Sequence, residues 1–313
     1  MTSVPVGEER PSGATARTLA QAKVNLFLRV LAREANGYHQ LETLFCRVDL
    51  GDAVTVRTNV RGRSLDCAGS TLPAAGLGPI ERNLAWRAAT TYAESTGWPN
   101  AWAIEIDKTI PVGGGMGGGS ADAGAVLRCL NAISPTPVDR DALLTLGASL
   151  GADVPFLTSE APLALGWGRG ERLLALPPLP VRPVALITFS FGISTREAFG
   201  WLAAERGAAA TQAAVFDVEQ FRTWDGVAAV AHNDFEPVVA PRHAPIASAL
   251  ARLRSSEAAE RDRSAIAIMA GSGATVFIIA RALPDDMFET HDAVSQPVRT
   301  RTASRVVAVE VSD

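Results

Sequence analysis

Eleven residues, Pro111-Val112-Gly113-Gly114-Gly115-Met116-Gly117-Gly118-Gly119-Ser120-Ala121, carry six glycines between two segments of regular composition. Upstream, Ala101 to Ile106 has the make-up of a strand. Downstream, Ser120 to Asn131 is rich in Ala and Leu, with apolar residues at helical spacing. Strand, glycine loop and helix in that order make an anion cradle. Glycine lets backbone N–H groups come close to an oxygen, and the helix N-terminus adds unpaired donors and the positive end of a dipole. The chemistry this predicts is phosphate binding, as in a nucleotide. A flexible hinge is a second reading, and a dinucleotide site a third, since Gly113 to Gly118 satisfies G-x-G-x-x-G; the pattern G-x-x-x-x-G-K-[ST] is missing. Pro111 and the helix start at Ser120-Ala121-Asp122-Ala123 favour a rigid loop aimed at a ligand. Ser120 is expected as the helix N-cap or as a phosphate or Mg²⁺ ligand. Asp122, which would repel phosphate, is expected to face away from the cradle.

Other elements must position the reacting groups. From Ala20 to Val30 apolar residues alternate, so that Ala22, Val24, Leu26, Leu28 and Val30 face the core. Lys23, Asn25, Phe27 and Arg29 would share the opposite face, with Lys23 and Asn25 roughly 7 Å apart. Asn36-Gly37 marks a turn, and residues 41–49 and 53–58 read as apolar-rich and strand segments. Residues 61–79 read as loop. A helix from Asn83, capped by that residue, ends near Gly97. Another runs from Asp139 to Leu150 and closes at Gly151, with Pro155 forbidding its continuation. Beyond Leu176-Pro177-Pro178-Leu179-Pro180, a candidate junction, come a strand (184–189) and helices at 195–205 and 241–253. Residues 255–264 form a charged connector. Strands at 265–269 and 275–279 are joined by Gly271-Ser272-Gly273, and 305–311 gives a last strand. Strands and helices mix without regular alternation, which predicts an α+β fold.

With 313 residues and 47% hydrophobic content the chain can bury a large core, and its net charge of −4 comes without basic blocks. That argues against nucleic acid and anionic membrane as partners. No apolar run is long enough to span a bilayer. Three scattered cysteines, Cys46, Cys67 and Cys129, make neither a disulfide framework nor a zinc pattern and fit a reducing cytoplasm. Residues 1–18 read as a disordered leader, 19–175 as an N-terminal domain with the phosphate loop, and 176–313 as a C-terminal domain.

Several segments together resemble the GHMP kinases. Residues 111–121 look like that family's phosphate-binding loop, and Met269-Ala270-Gly271-Ser272-Gly273-Ala274-Thr275-Val276-Phe277 like its C-terminal glycine motif. Ala22-Lys23-Val24-Asn25-Leu26-Phe27-Leu28, with Gly37-Tyr38-His39-Gln40-Leu41 and Thr43, is similar to one branch of the family. The acceptor of that branch is 4-diphosphocytidyl-2-C-methyl-D-erythritol, an intermediate of the non-mevalonate isoprenoid route. Leu150-Gly151-Ala152-Asp153-Val154-Pro155-Phe156, Gly168-Arg169-Gly170-Glu171 and Asn233-Asp234-Phe235-Glu236 fit the same branch.

The resemblance implies a two-domain α+β kinase with its site in the cleft between domains, using ATP and Mg²⁺ to phosphorylate the acceptor's 2-hydroxyl. It implies Asp153 as general base and Lys23 as its cationic partner. Pro111, Val112, Gly113, Gly114, Gly115, Met116, Gly117, Gly118, Gly119, Ser120 and Ala121 would bind ATP, with Asn83 and Lys108 lining the adenosine pocket. Asn25 would bond the acceptor, Tyr38 and His39 would hold its cytidine, and Phe199 would supply the opposite stacking wall. The implied assembly is a monomer or homodimer. Another kinase of the family, acting on mevalonate, homoserine or a sugar, is the nearest rival, and a non-catalytic nucleotide-binding protein of the same fold is the second.

Overall fold

The computed structural model describes residues 14–33, 39–74, 76–207, 216–289 and 294–312. Its elements run β1 (Thr15–Arg33), β2 (His39–Thr58), β3 (Arg63–Ala68), α1 (Leu84–Thr96), β4 (Trp102–Asp107), α2 (Gly118–Ile133), α3 (Arg140–Leu150), α4 (Val154–Thr158), β5 (Leu163–Gly168), β6 (Arg172–Leu176) and β7 (Pro183–Phe189). They continue with α5 (Thr195–Arg206), α6 (Trp224–Val230), β8 (His232–Asn233), α7 (Glu236–Val239), α8 (Ala244–Arg254), α9 (Glu257–Arg261), β9 (Ile266–Met269), β10 (Val276–Ile279), β11 (Ser295–Arg301) and β12 (Glu310–Ser312).

β1 and β2 form one long antiparallel pair at the centre of a sheet ordered β12-β1-β2-β4-β3, onto which β5, β6 and β8 are added. The apolar runs on both strands match their length: most of the pair is buried or half-buried, while Arg17, Gln40, Asp49 and Ala53 stay exposed. β1 starts at Thr15, so residues 15–18, expected in the leader, belong to the sheet. β3 lies within the stretch expected as loop and pairs in parallel with β4. A second sheet, β11-β7-β10-β9, follows the proline-rich junction. Two strands of the later half, β8 and β12, return to pair with β1. The strand expected at 305–311 is correspondingly short, and β11 was not foreseen.

β1 carries the site, and it does not alternate as expected. Register shifts lie between Gln21 and Lys23 and between Asn25 and Phe27. At the first, the extra residues lie on β2 and the β1 alternation is kept. At the second, the two steps from Asn25 to Phe27 face the single step from Phe45 to Leu44, so one inserted β1 residue reverses which side chains share a face. Phe27 and Arg29 therefore leave the face of Lys23 and Asn25: Phe27 stacks on Phe216 at 4.8 Å, and Leu28 joins the site instead.

α2 packs across β1 and β2 and against α1 and α4. Its small residues, Ala121, Ala123, Gly124 and Ala125, are buried there. At Gly124 a Cβ would stand 2.6 Å from the Leu157 backbone, so α4 sits as close as it does only because that position lacks a side chain. α1 is capped as expected: the Asn83 side chain accepts from Ala85 N, and Gly97 (φ 74°) closes it in the left-handed conformation. α3 closes at Gly151 as expected, and Pro155 opens α4, where it occupies the first turn.

Candidate active site

The glycine run enters α2 earlier than the sequence suggested: the helix starts at Gly118, two residues before Ser120. Gly117 (φ 72°) is the N-cap, so Ser120 lies in the first turn and caps nothing. A cavity of about 350 Å³ opens on the loop, lined by residues 111–120 together with Asn83 and Lys108. Ala121 does not reach it. That residue is buried, and its N–H donates to Gly117 O at 2.8 Å.

Behind the loop lies the second glycine motif. Thr275 N donates to Gly114 O at 3.2 Å, and a Cβ on Gly115 (φ 79°) would meet Ala270 O at 2.2 Å. Asn233 holds that turn from below, its Nδ2 donating to Met269 O at 2.7 Å and Gly271 O at 2.8 Å. The floor and the loop are therefore fitted backbone to backbone, which only glycine permits at Gly115.

Asp122 does not face away. It lines the loop cavity and pairs with Lys108 at 2.6 Å, while the same ammonium meets Asp52 at 2.5 Å. Burial pushes the Asp122 carboxyl up to about 7, with Lys108 drawing it down and Asp52 pushing it up. Asp122 Oδ1 has no hydrogen-bond partner among the described residues. Burial depresses Lys108, yet Asp122 and Asp52 outweigh it and hold the ammonium above its usual range. Asp52 is fully buried and also accepts from Thr109 N at 2.6 Å and Ile110 N at 2.7 Å, pinning the root of the loop. Nothing in the sequence pattern marks Asp52, because two of its three hydrogen-bond donors are backbone amides.

A second cavity, about 330 Å³, shares Gly115, Gly117 and Ser120 with the first. Lys23 and Asp153 meet in it, Nζ to Oδ2 at 3.3 Å. Lys23 Nζ donates to Asn25 Oδ1 at 2.8 Å, and Asn25 Nδ2 donates to Thr43 Oγ1 at 2.8 Å. Thr43 Oγ1 donates in turn to Phe27 O at 2.8 Å, so the amide of Asn25 is held in one orientation. Lys23 is also tied to the loop through its backbone, N to Met116 O at 3.1 Å.

Asp153 stands at the N-cap of α4 but makes no capping bond, which leaves its carboxylate for Lys23 and the cavity. Arg47 fixes α4 from the other end. This fully buried side chain donates to Phe156 O at 2.8 Å, Ser159 O at 2.9 Å and Ala161 O at 3.2 Å. Its cation sits 5.0 Å from the centre of the Phe156 ring, and burial lowers it to about 9. Sequence reasoning missed Arg47, whose partners are carbonyls.

The third cavity is the largest, about 800 Å³, and joins the second at Leu41, Ala152 and Phe199. His39 and Phe199 line it with their rings stacked at 4.2 Å and 15°, while Phe199 meets Phe235 edge-on at 4.8 Å. Tyr38 lies outside the described residues. Lys23, Asn25, Asp153 and Phe199 thus share one cavity, Phe199 and His39 the next, and Asn83, Lys108 and the loop the one opposite. Ser120 lines two of them. Among the described residues no three His, Cys, Asp or Glu side chains gather to hold a metal ion, no helix is long and apolar enough to cross a membrane, and the three cysteines are free.

The GHMP kinases N terminal domain family matches residues 83–160. The 4-diphosphocytidyl-2-C-methyl-D-erythritol kinase of Halorhodospira halophila is 38% identical over 261 residues, covering 83% of this chain and 82% of its own. The enzyme of the same name from Moorella thermoacetica is 38% identical over 268 residues, covering 83% and 88%. A crystal structure of 4-(cytidine 5'-diphospho)-2C-methyl-D-erythritol kinase superposes with a TM-score of 0.70 at 32% identity, covering 91% of this chain and 98% of that one. Homoserine kinase from Cytophaga hutchinsonii shares the fold, with a TM-score of 0.64 at 15% identity over 98% and 100% of the two chains.

Proposed function

We infer the chemistry from one premise: the chain belongs to the 4-diphosphocytidyl-2-C-methyl-D-erythritol kinases of the GHMP kinase superfamily. It is an α+β kinase of the non-mevalonate isoprenoid route, transferring the γ-phosphoryl group of ATP to the acceptor's 2-hydroxyl and releasing ADP. The observation that carries the residue assignment is the 3.3 Å contact of Lys23 with Asp153 beside a cavity that shares Gly115, Gly117 and Ser120 with the glycine-loop cavity.

In this reading ATP lies with its base between Asn83 and Lys108 and its phosphates on the amides of residues 111–120. The acceptor enters from the other side, its hydroxyl between Asp153 and the loop and its middle against Asn25. Asp153 takes the hydroxyl proton while the oxygen forms its bond to the γ-phosphorus. The bond from that phosphorus to the β,γ-bridging oxygen breaks, and its electron pair leaves on ADP. Lys23 keeps Asp153 ionised and opposes the charge gathering on the transferred group. A cytosine ring seated between His39 and Phe199 requires those rings to part, because their present spacing is that of direct contact.

Mg²⁺ fits this donor set as a passenger of the nucleotide. Ser120 and the unpartnered Oδ1 of Asp122 are the groups that would approach it, and triphosphate and water supply the rest. Bound there, it would neutralise β- and γ-oxygens. The assembly this reading proposes is a monomer or a homodimer in the cytoplasm, and it calls on no nucleic acid or membrane.

The test is a coupled assay with 4-diphosphocytidyl-2-C-methyl-D-erythritol, ATP and Mg²⁺. Asp153→Asn should lower kcat by about a hundredfold or more with an unchanged melting temperature. Equal turnover by the variant would remove Asp153 from its role. Equal rates on mevalonate or homoserine would replace the acceptor.

A further inference from the structure

Beyond the residues that touch the substrates, one ion pair decides where the acceptor's aromatic wall stands. Phe199 sits one turn into α5, and α5 is fastened at both ends. At its head Thr195 Oγ1 and Ser272 Oγ are 3.0 Å apart. At its tail Arg206 is the last helical residue. Its Nη2 meets Asp234 Oδ2 at 2.7 Å, and its Nη1 donates to Val30 O at 2.6 Å.

Asp234 is itself locked to β1. Its Oδ2 accepts from Val30 N at 2.6 Å and its backbone N–H donates to Leu28 O at 3.0 Å, while Oδ1 lies 2.7 Å from His232 Nε2. The next residue, Phe235, is the ring on which the edge of Phe199 rests. One buried carboxylate therefore sets both the helix that bears Phe199 and the ring that backs it. It references them to the strand that carries Lys23 and Asn25.

We propose that Asp234 and Arg206 are positioning residues for the acceptor's base, holding Phe199 at a fixed distance from the Lys23 strand without touching either substrate. The proposal rests on the reading above, in which Phe199 walls a cytosine. The nucleotide cavity lies on the far side of the glycine loop and contains neither residue nor any contact of theirs. Acceptor binding should therefore suffer alone.

The experiment is steady-state kinetics on Arg206→Ala, Arg206→Lys, Asp234→Asn and the Arg206→Ala/Asp234→Asn double variant, with calorimetric titration of cytidine 5'-diphosphate into each. Arg206 ends a helix at the surface, so Arg206→Ala keeps the test open if Asp234→Asn does not fold. Both single removals should raise KM for the acceptor and the Kd for cytidine diphosphate about five- to tenfold, leaving kcat and KM for ATP within twofold. The double variant should be no worse than the weaker single variant, and Arg206→Lys should recover part of the loss. Parallel rises in both KM values, or an unchanged acceptor KM in an active enzyme, would overturn the positioning role. Wild-type protein inactive on the cytidylyl acceptor would instead overturn the functional reading.

Discussion

Lys23 meets both Asp153 and Asn25, so one cation orders the proposed base and the side-chain amide proposed to bond the acceptor at once. Lys23→Met should lower kcat by about a hundredfold or more, with a smaller change in KM for ATP, because its charge acts on the transferring group and not on the adenosine. Steady-state rates at saturating ATP check this, and a loss confined to KM for ATP would contradict it. Asp234 makes a prediction with pH. Burial alone would raise its carboxyl, but bonds from Arg206, Val30 N–H and His232 outweigh burial and hold it below the usual carboxylate value. A carboxyl depressed on folding stabilises above its unfolded pKa of about 3.9, and that contribution is lost as pH falls through the lower folded value. The stability gap between wild type and Asp234→Asn should stay level from neutrality to about pH 4 and narrow below it. Urea titrations across that range measure it, and a gap that widens in acid would be the wrong sign. At this scale the sequence was legible where a side chain sits in a motif, as Lys23, Asn25 and Asp153 do. It was silent on Arg47 and Asp52. Their partners are mostly carbonyls and amides, and no residue type advertises those.

The glycine loop works as an element because its backbone is fitted to another backbone. Two glycines in it should respond oppositely to the same added methyl group. At Gly115 a Cβ would lie 2.2 Å from Ala270 O with φ at 79°, so alanine brings both a clash and about 1–2 kcal/mol of left-handed strain. At Gly119, in the first turn of α2, the nearest atom would be Leu84 Cδ1 at 3.8 Å, an ordinary contact. Gly115→Ala should lower the melting temperature and raise KM for ATP about tenfold. Gly119→Ala should leave the melting temperature unchanged or higher, since alanine favours a helix. Thermal scans of the pair decide the matter, and equal losses would mean that the loop simply needs flexibility. The sequence marked the loop, α1 with its Asn83 cap, and α5. It misjudged β1, because a register shift beside Leu26 depends on which partner strand lies opposite, and alternation read from one strand cannot see that. β3 escaped for a related reason: it is mostly exposed and owes its existence to the edge of β4.

At the scale of the whole molecule, the described residues form two sheets with no clean seam between them. The larger apolar core runs from Val24 and Leu26 of the first sheet to Leu186, Ile268 and Phe277 of the second. The smaller one joins Leu28 and Val30 of β1 to Ile187, Ile246 and Val276. β8 and β12 carry the later half of the chain back to β1, and Gly114 is bonded to Thr275 across the two glycine motifs. Chains of this length often unfold in stages, because separate cores lose their packing independently. Here neither sheet can open without exposing side chains of the other, so thermal unfolding should be one transition with calorimetric and van't Hoff enthalpies in agreement. A non-hydrolysable ATP analogue should shift that single transition upward as a unit, by an amount set by its concentration relative to Kd. The bound phosphates would rest on a loop that the second sheet supports from behind. Two resolved transitions, with only the first moved by nucleotide, would mean that the cradle is complete within the first sheet and that the contact of Gly115 with Ala270 contributes little to holding it.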